Sequence, residues 1–249
     1  MPGRTLSIDY RIVKDLRQIN LGSDKEDFYP VEVVRLADLA DRILKLQRQF
    51  PTTPVLMTRR DIESAFRRIL IRPDLIHIFT TDMPGRMLGR SSDVFMGHLA
   101  MPFGWIASPA YFKLHTDAIT AAHNYFRPSQ VLGGRERFAS FIYVDDCVLI
   151  ECPVGNRLSA CASCWEWSSQ QILDDDSIND EKKKLEGQWS QRHTLLGFYV
   201  DTETMLIKLP EEKIQQARSL VLSAELSPGN YGVSVKTLQQ LRGLCVCTG

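Results

Sequence analysis

Apolar residues recur with the period of an α-helix in several parts of the chain. Residues 31–50 place apolar side chains three or four positions apart, and Pro51 interrupts the pattern, so a helix is predicted there. A second helix is predicted to begin at Ser108, because serine accepts an N-cap hydrogen bond and Pro109 suits the first helical position. The same periodicity predicts further helices at 158–173, after Pro210 and at 235–246.

Other segments have the alternating or continuously apolar character of β-strands. A short apolar run at 55–57 leads to Asp61, after which one or two helical turns are predicted. Residues 138–151 predict a hairpin, with strand-like runs on both sides of a tight turn at Val144, Asp145 and Asp146. A second hairpin is predicted at 195–200 and 205–209, an extended arm at 5–20 with a turn at 20–23, further extended chain at 94–101, and loops at 80–93 and 174–184.

The composition is that of a soluble globular protein. The 249 residues are 44% hydrophobic, which is enough to bury a core. The longest apolar runs fall short of the roughly 20 residues that a membrane span needs, so no membrane partner is predicted. The N-terminal residues lack the apolar segment of a secretory signal, which favours a cytoplasmic or nuclear protein. Zero net charge argues against indiscriminate binding to nucleic acid.

Six cysteines are present, and free thiols are expected because the cytosol is reducing. Cys161 and Cys164 have the spacing of zinc ligands, but no second Cys-x-x-Cys or His-x-x-x-His lies at a matching distance in the sequence. Two thiols on a partly buried helix are therefore the preferred interpretation.

Asp145 and Asp146 are adjacent carboxylates in the middle of an apolar hairpin. Unpaired buried charge is costly, and no Lys or Arg is near them in the sequence, so a divalent cation is the obvious partner. Two such cations held by carboxylates could activate a hydroxyl group and stabilise a leaving pyrophosphate. The alternative is an Asp-Asp turn exposed to solvent, which is common in proteins.

Several motifs, in one order along the chain, resemble those of reverse transcriptases. Residues 143–146 are similar to the family's Tyr-x-Asp-Asp motif, and residues 61–66, Asp-Ile-Glu-Ser-Ala-Phe, resemble its first palm motif. Residues 101–112 are similar to its Leu-Pro-x-Gly-x-x-x-Ser/Ala-Pro helix entry, and residues 195–213 resemble its primer-grip hairpin leading into the thumb. Residues 10–20 look like its fingers strand. The residues within these motifs resemble those of retrotransposon polyproteins, of the LTR or tyrosine-recombinase type, more than those of retroviral or telomerase enzymes.

The resemblance implies an α+β fold, namely the right-hand polymerase fold, in which a palm of antiparallel sheet is backed by helices. It divides the chain into a partial fingers hairpin (1–35), a first palm segment (36–75), a fingers or loop segment (76–101), the palm with both hairpins (102–208) and a partial thumb (209–249). Truncation at both ends is also implied, since the family has further fingers residues before Arg4 and a longer thumb after Gly249.

The activity that the resemblance implies is RNA-directed DNA synthesis with Mg²⁺, or Mn²⁺ in its place. The partners would be deoxynucleoside triphosphates and an RNA or DNA template with a primer, while the oligomeric state stays open. The catalytic residues would be Asp61, Asp145 and Asp146, which with Ile62 would also be the metal ligands. The nucleotide would be bound by Arg4, Arg11, Ile62, Ala65, Phe66, Phe103 and Lys182. Template and primer would contact Gly104, Tyr143, Val144, Leu196 and Gly197.

Some of these assignments keep an alternative. Phe66, whose ring would exclude a ribose 2′-OH, could also be a core aromatic. The motif lysine is assigned to Lys182 because Asn179 lies three residues upstream, and the alternatives are Lys183 and Lys184. Phe103 stands where retroviral enzymes have Gln, which indicates lineage and not loss of activity. For the whole chain, the alternative is a catalytically inactive remnant that at most binds nucleic acid.

Overall fold

The computed structural model describes residues 15–125, 136–222 and 232–239. The described chain mixes helices with antiparallel strands, which confirms the α+β class. Its strands are β1 (Leu56–Asp61), β2 (Thr80–Met83), β3 (Val94–Gly97), β4 (Ser140–Tyr143), β5 (Asp146–Glu151), β6 (Arg192–Leu195), β7 (Phe198–Asp201) and β8 (Leu206–Lys208). Its α-helices are α1 (Arg17–Leu21), α2 (Leu36–Gln49), α3 (Ser108–Tyr125), α4 (Arg157–Ile172), α5 (Asp180–Glu186) and α6 (Glu211–Val221), and residues 235–239 are also helical.

β5 is the middle strand of the central sheet, whose order is β1, β5, β4, and both partners run antiparallel to it. Its residues alternate between the two faces of the sheet. Cys147 and Leu149 belong to one buried cluster, and Val148 and Ile150 belong to the other. A strand that is covered on both faces has a continuous apolar sequence, which explains the run that follows the paired aspartates.

Two sets of elements cover the faces of this sheet. On one face, α3 and α4 contribute the buried side chains Phe112, Ile119 and Trp165. On the other face, α2 contributes Leu39 and Leu46, and β6 and β7 complete the cluster. Both faces are therefore filled by apolar side chains, and the three aspartates of the predicted site lie at one end of the sheet.

Two further sheets are formed near this centre. β2 pairs with β3, and β6, β7 and β8 form an antiparallel meander. The chain around α5 is attached to the edge of β1, since Ile62 pairs with Ile178 and Met57 pairs with Ser190. None of the described helices is both long and apolar enough to cross a membrane.

Four local predictions were wrong. The arm predicted to be extended up to residue 20 contains α1, while its part before residue 15 lies outside the described residues. The predicted loop at 80–93 contains β2, which is formed by pairing with β3, and such pairing cannot be inferred from local sequence. The predicted loop at 174–184 contains the start of α5, which Asn179 caps by accepting a hydrogen bond from the Lys182 N–H. The strand predicted at 195–200 is split by a turn into β6 and β7.

A cluster of buried charges lies behind the far end of β5. Glu151 and Arg157 are both fully buried, with Arg157 Nη2 2.5 Å from Glu151 Oε2. Arg42 lies 3.3 Å from the same carboxylate oxygen and 2.9 Å from Glu136 Oε1. The Arg157 guanidinium is also 5.5 Å from the ring centre of Phe138. This cluster joins α2 and α4 to the central sheet.

Cys161 and Cys164 lie on α4, where the first is buried and the second is partly buried, as predicted for thiols on such a helix. His123 of α3 faces them, with Nε2 3.2 Å from the Cys161 carbonyl oxygen. A carbonyl oxygen can only accept, so the imidazole carries its proton on Nε2. Burial lowers the pKa of His123 from 6.5 to about 4. The folded protein therefore holds this histidine neutral.

We expect the stability of the chain to fall as the pH drops from 6.5 towards 4. The unfolded chain takes up a proton on this histidine in that range and the folded chain does not, so the lowered pKa of His123 favours folding above pH 6.5 and loses that effect in acid. The expected slope is about 1.4 kcal/mol per pH unit. Urea unfolding at pH 7 and pH 5 measures it. The variant His123→Gln still donates to the Cys161 carbonyl, and an undiminished slope in that variant would contradict the assignment.

Candidate active site

The ends of β1 and β5 bring the predicted catalytic aspartates together. Asp61 is the last residue of β1 and lies directly opposite Asp146, the first residue of β5. Asp145 lies in the turn between β4 and β5, and its carbonyl oxygen accepts a hydrogen bond of 2.9 Å from the Ile62 N–H. The three residues thus occupy the same end of the central sheet.

Asp61 is buried and is held by the segment that leads into α5. Lys182 Nζ lies 2.5 Å from Asp61 Oδ1, and Asn179 Nδ2 donates to Oδ2 at 3.1 Å. The hydrogen bond to Asp61 raises the pKa of Lys182, so this lysine stays protonated. Lys183 pairs instead with Glu166 at 2.8 Å. Lys182 is therefore the lysine of this helix that reaches the aspartates.

Asp146 has a basic partner that the sequence analysis missed. Arg59 Nη2 lies 3.1 Å from Asp146 Oδ1, and Arg59 Nη1 lies 2.6 Å from Glu186 Oε2. No Lys or Arg is near Asp145 and Asp146 in the sequence, but the fold brings two cations to the aspartates, Arg59 from β1 and Lys182 from α5. One signal could have found Arg59: in a strand, a residue two positions before Asp61 projects from the same face.

Asp145 is the carboxylate whose charge is least balanced. Burial raises the pKa of Asp145 above its ordinary value, and the negative charges of Asp61 and Asp146 raise it further, whereas Lys182 acts in the opposite direction. A carboxylate in this position has much to gain from a nearby cation.

The chemistry of these donors fits a hard divalent cation. Mg²⁺ and Mn²⁺ favour carboxylate and carbonyl oxygens. The backbone hydrogen bonds around Asp61 use the carbonyl oxygens of Asp61, Asp145 and Ser177 and do not use that of Ile62. Within the described ranges, however, no group of three or more His, Cys, Asp or Glu side chains is placed so that it could hold a metal ion. Ion pairs with basic side chains occupy Asp61 and Asp146. Metal binding would require these pairs to loosen.

Tyr143 and Val144 form the outer edge of the same hairpin. Their exposed fractions are 44% and 40%, so both side chains are accessible to a ligand. Val144 has a φ of 55°, a backbone conformation that β-branched residues rarely adopt. The turn is therefore strained at the residue before Asp145.

Phe66 lies in the 3₁₀ helix Ala65–Arg68, and both Ala65 and Phe66 are buried. The ring centre of Phe66 is 5.4 Å from that of Phe112, which is in the core, and 5.1 Å from that of Phe103, which is 55% exposed. A cavity of about 30 Å³ beside Phe66 is lined in part by Tyr143. Phe66 is thus a core residue that also lies next to the hairpin.

Gly104 lies in a turn that is held by Asn20, a residue near the N-terminal end of the described chain. Its φ of 94° favours glycine, and its carbonyl oxygen accepts a hydrogen bond of 2.9 Å from Asn20 Nδ2. Asn20 Oδ1 accepts a second bond, of 3.0 Å, from the Ile106 N–H. Sequence reasoning placed Asn20 in a turn and missed this role, for which one sequence contains no signal.

Leu196 and Gly197 form the turn between β6 and β7, with φ values of 49° and 81°. Positive φ at both central residues is typical of a type I′ hairpin turn. A side chain at Gly197 would meet Lys213 Nζ from α6 at 2.5 Å, so this turn and the helix that follows β8 lie close together. The two predicted triphosphate-binding residues, Arg4 and Arg11, lie outside the described residues.

The comparisons with known proteins concern the fold alone. No protein-family model matches the sequence, and no curated protein matches it significantly. The chain is similar to the foamy viral protease-reverse transcriptase dRH in complex with double-stranded DNA, with a TM-score of 0.60 and 15% identity, over 94% of this chain and 32% of that one. The chain therefore spans about a third of the length of that protein.

Two other solved structures resemble the chain more weakly. One is the foamy viral protease-reverse transcriptase in complex with an RNA/DNA hybrid, with a TM-score of 0.48 and 17% identity, over 76% of this chain and 20% of that one. The other is apo telomerase from Candida tropicalis truncated from its C-terminal domain, with a TM-score of 0.40 and 14% identity, over 78% of this chain and 43% of that one. The first likeness is the one that carries weight: the chain has a reverse-transcriptase-like fold.

Proposed function

We propose that this chain is the catalytic core of an RNA-directed DNA polymerase of the retrotransposon type. The observation that carries the proposal is the meeting of Asp61, Asp145 and Asp146 at one end of the central sheet, within a reverse-transcriptase-like fold. The similar foamy viral enzyme was solved with double-stranded DNA, which supports a nucleic acid duplex as the ligand.

In this proposal the central sheet with α2, α3 and α4 is the palm, and it carries the catalytic carboxylates. β2 and β3 belong to the fingers, together with the predicted fingers segment 1–35, of which residues 1–14 lie outside the described residues. The turn at Leu196 and Gly197 grips the primer, and α6 begins the thumb, in keeping with the short distance between Gly197 and Lys213.

Asp61 and Asp145 would be the main ligands of two Mg²⁺ ions, with Asp146 beside them and the Ile62 carbonyl completing the set. When bound, these ions would activate the primer 3′-hydroxyl and stabilise the leaving pyrophosphate. Tyr143 and Val144, which are exposed beside Asp145, would contact the primer end.

The incoming deoxynucleoside triphosphate would lie between fingers and palm. Arg4 and Arg11 would bind its phosphates, and Gly104 would let the backbone approach the template base. Ala65, Phe66 and Phe103 would surround its sugar and base. Lys182 would donate its proton to the pyrophosphate, a role that its protonated state and its contact with Asp61 support.

The direct test is extension of a DNA primer on an RNA template by the 249-residue chain, with deoxynucleoside triphosphates and either Mg²⁺ or Mn²⁺. Metal-dependent extension, abolished by EDTA, is the expected result. A folded chain that binds primer-template and extends no primer with either metal would contradict the proposal.

We expect the ring of Phe66 to discriminate against ribonucleotides. Replacing Phe66 by Val removes the bulk that would meet a 2′-OH, so the preference for deoxynucleotides should fall by about tenfold or more. Competition between dGTP and GTP in primer extension measures this ratio. Phe112→Val is the matched control, because Phe112 packs against Phe66 and its loss costs core packing without opening the proposed sugar site. An equal effect of both changes would show that Phe66 is only a core residue.

A second candidate is a palm-like domain that binds nucleic acid and has no catalytic activity. Two observations favour it: Lys182 and Arg59 pair with Asp61 and Asp146, and the described side chains contain no group of His, Cys, Asp or Glu placed to hold a metal ion. Binding of primer-template that is unchanged by Mg²⁺ or Mn²⁺, without extension, is the result that this candidate requires.

A further inference from the structure

Arg59 is shared between two carboxylates that belong to different elements. Its Nη2 is 3.1 Å from Asp146 on β5, and its Nη1 is 2.6 Å from Glu186 at the end of α5. The Arg59 side chain is 28% exposed and that of Asp146 is 44% exposed, so both groups are only partly screened by water. One guanidinium therefore connects the aspartate hairpin with the helix that carries Lys182.

The contact between Arg59 and Asp146 occupies an oxygen that a metal ion would need. Asp146 lies opposite Asp61 in the strand register, which places it within the carboxylate group. A guanidinium and a divalent cation both seek the negative charge of this carboxylate, and their positive charges repel each other at short range. Arg59 must therefore weaken binding of a cation at this end of the sheet.

Glu186 determines how strongly Arg59 holds Asp146. Glu186 takes the other amino group of the guanidinium, at the shorter of the two distances, and it adds a negative charge close to the site. Without Glu186, all of the guanidinium would be available to Asp146. Removal of Arg59 and removal of Glu186 should therefore change metal affinity in opposite directions.

We propose that Arg59 is a positioning residue that holds Asp146 and limits the affinity of the carboxylate group for divalent cations, and that Glu186 opposes this hold. The inference rests on the proposed function for the identity of the metal-binding aspartates. The same arginine holds Asp146 in place, and it would have to release the contacted carboxylate oxygen for that oxygen to bind a cation.

The test is a calorimetric titration of the 249-residue chain with Mn²⁺, in the absence of primer and nucleotide. Arg59→Gln should tighten Mn²⁺ binding by about fivefold, the upper range for a partly exposed ion pair. Glu186→Gln should weaken it by a similar factor. Arg59→Lys keeps the charge but loses the forked donors, and its affinity should lie between those of the unaltered chain and Arg59→Gln.

The chain offers a matched control in Arg192, which is shared in the same way between Asp201 at 3.0 Å and Glu203 at 2.7 Å. Arg192→Gln and Glu203→Gln make the same changes in net charge within the sheet of β6, β7 and β8, and they should leave Mn²⁺ affinity unchanged. Equal effects of Arg59→Gln and Arg192→Gln on Mn²⁺ affinity would overturn the role of Arg59 and would not contradict the assignment of the metal-binding aspartates.

A different outcome concerns the aspartates themselves. If the unaltered chain binds no Mn²⁺, or if Asp61→Asn leaves its binding unchanged, the metal assignment of the proposed function fails and the role of Arg59 fails with it. Circular dichroism checks that each variant is folded. Should Arg59→Gln fail to fold, the opposite shifts expected for Glu186→Gln and Arg59→Lys decide the question alone.

Discussion

Replacing Asp145 by Asn should reduce primer extension by about a thousandfold, because a bound metal ion supplies several kcal/mol of stabilisation to the developing charge. The amide keeps the size of the side chain and removes the negative charge that a cation needs. Primer extension on an RNA template with Mg²⁺ measures the loss. Asp82→Asn, a change of an exposed aspartate on β2, is the control and should extend primers normally. If Asp145→Asn extends primers as well as the unaltered chain, the proposed mechanism is wrong.

The same variant should be more stable than the unaltered chain at neutral pH. The pKa of Asp145 is raised in the folded chain, so the folded chain binds a proton on this carboxylate more tightly than the unfolded chain does. Protonation of Asp145 therefore favours folding, and this stabilisation is lost as the pH rises through the folded-state pKa. At pH 7 the charged group therefore lowers stability, and Asn removes that effect. We expect Asp145→Asn to have a higher melting temperature than the unaltered chain at pH 7, and the same melting temperature below pH 3.8. Such a result would show that the carboxylate lowers stability, as expected of a functional group and not of a structural one.

The largest expected loss of stability comes from Glu151→Gln. This change leaves Arg157 fully buried beside a neutral amide, and breaking a buried ion pair on one side costs about 3–5 kcal/mol. Arg157 has no other carboxylate among its contacts in the described ranges, and its Nε and Nη1 atoms have no hydrogen-bond partner there. Arg42, by contrast, keeps its contact with Glu136. Urea unfolding measures the change in the free energy of unfolding.

The double variant Glu151→Gln, Arg157→Met identifies the cause. If the unpaired guanidinium is responsible, removing it should restore most of the stability that the single change loses. Glu203→Gln removes a carboxylate from an exposed pair with Arg192 and should cost at most about 1 kcal/mol. A double variant no more stable than Glu151→Gln would mean that the loss arises from the glutamate's other contacts, with Arg42 and the Cys152 N–H.

Elements with local signals could be predicted from the sequence. The helix predicted to begin at Ser108 has a serine, a proline and an apolar stripe within one segment, and the structure confirms its start. The predicted cap is not found in the described chain, where the Ser108 hydroxyl donates to the Pro102 carbonyl oxygen. The tight turn at Val144 and Asp145 was predicted correctly because apolar strands flank it on both sides. α5 was missed because none of its residues is buried, so no apolar period marks it. Its local signal is Asn179, the capping residue that stands before two acidic residues.

The site was predictable in part for the same reason. The aspartates stand out in the sequence because they interrupt apolar strands. The partners Lys182 and Arg59 lie 121 and 87 residues away from Asp61 and Asp146, respectively, and a single sequence does not show which strands and helices meet. Charge balance around a site is therefore the property that required the structure.

The long separation between Asp61 and Lys182 also matters while the protein is being made. The two residues are 121 positions apart, so at roughly 5–20 residues per second about 6–24 s pass between their synthesis. For most of that interval β1 lacks β5, its neighbour in the sheet, and for all of it β1 lacks the lysine that pairs with its terminal aspartate. The nascent chain thus carries a strand with an unpaired edge and an unbalanced charge, and the charge of Asp61 is balanced only when α5 has been made.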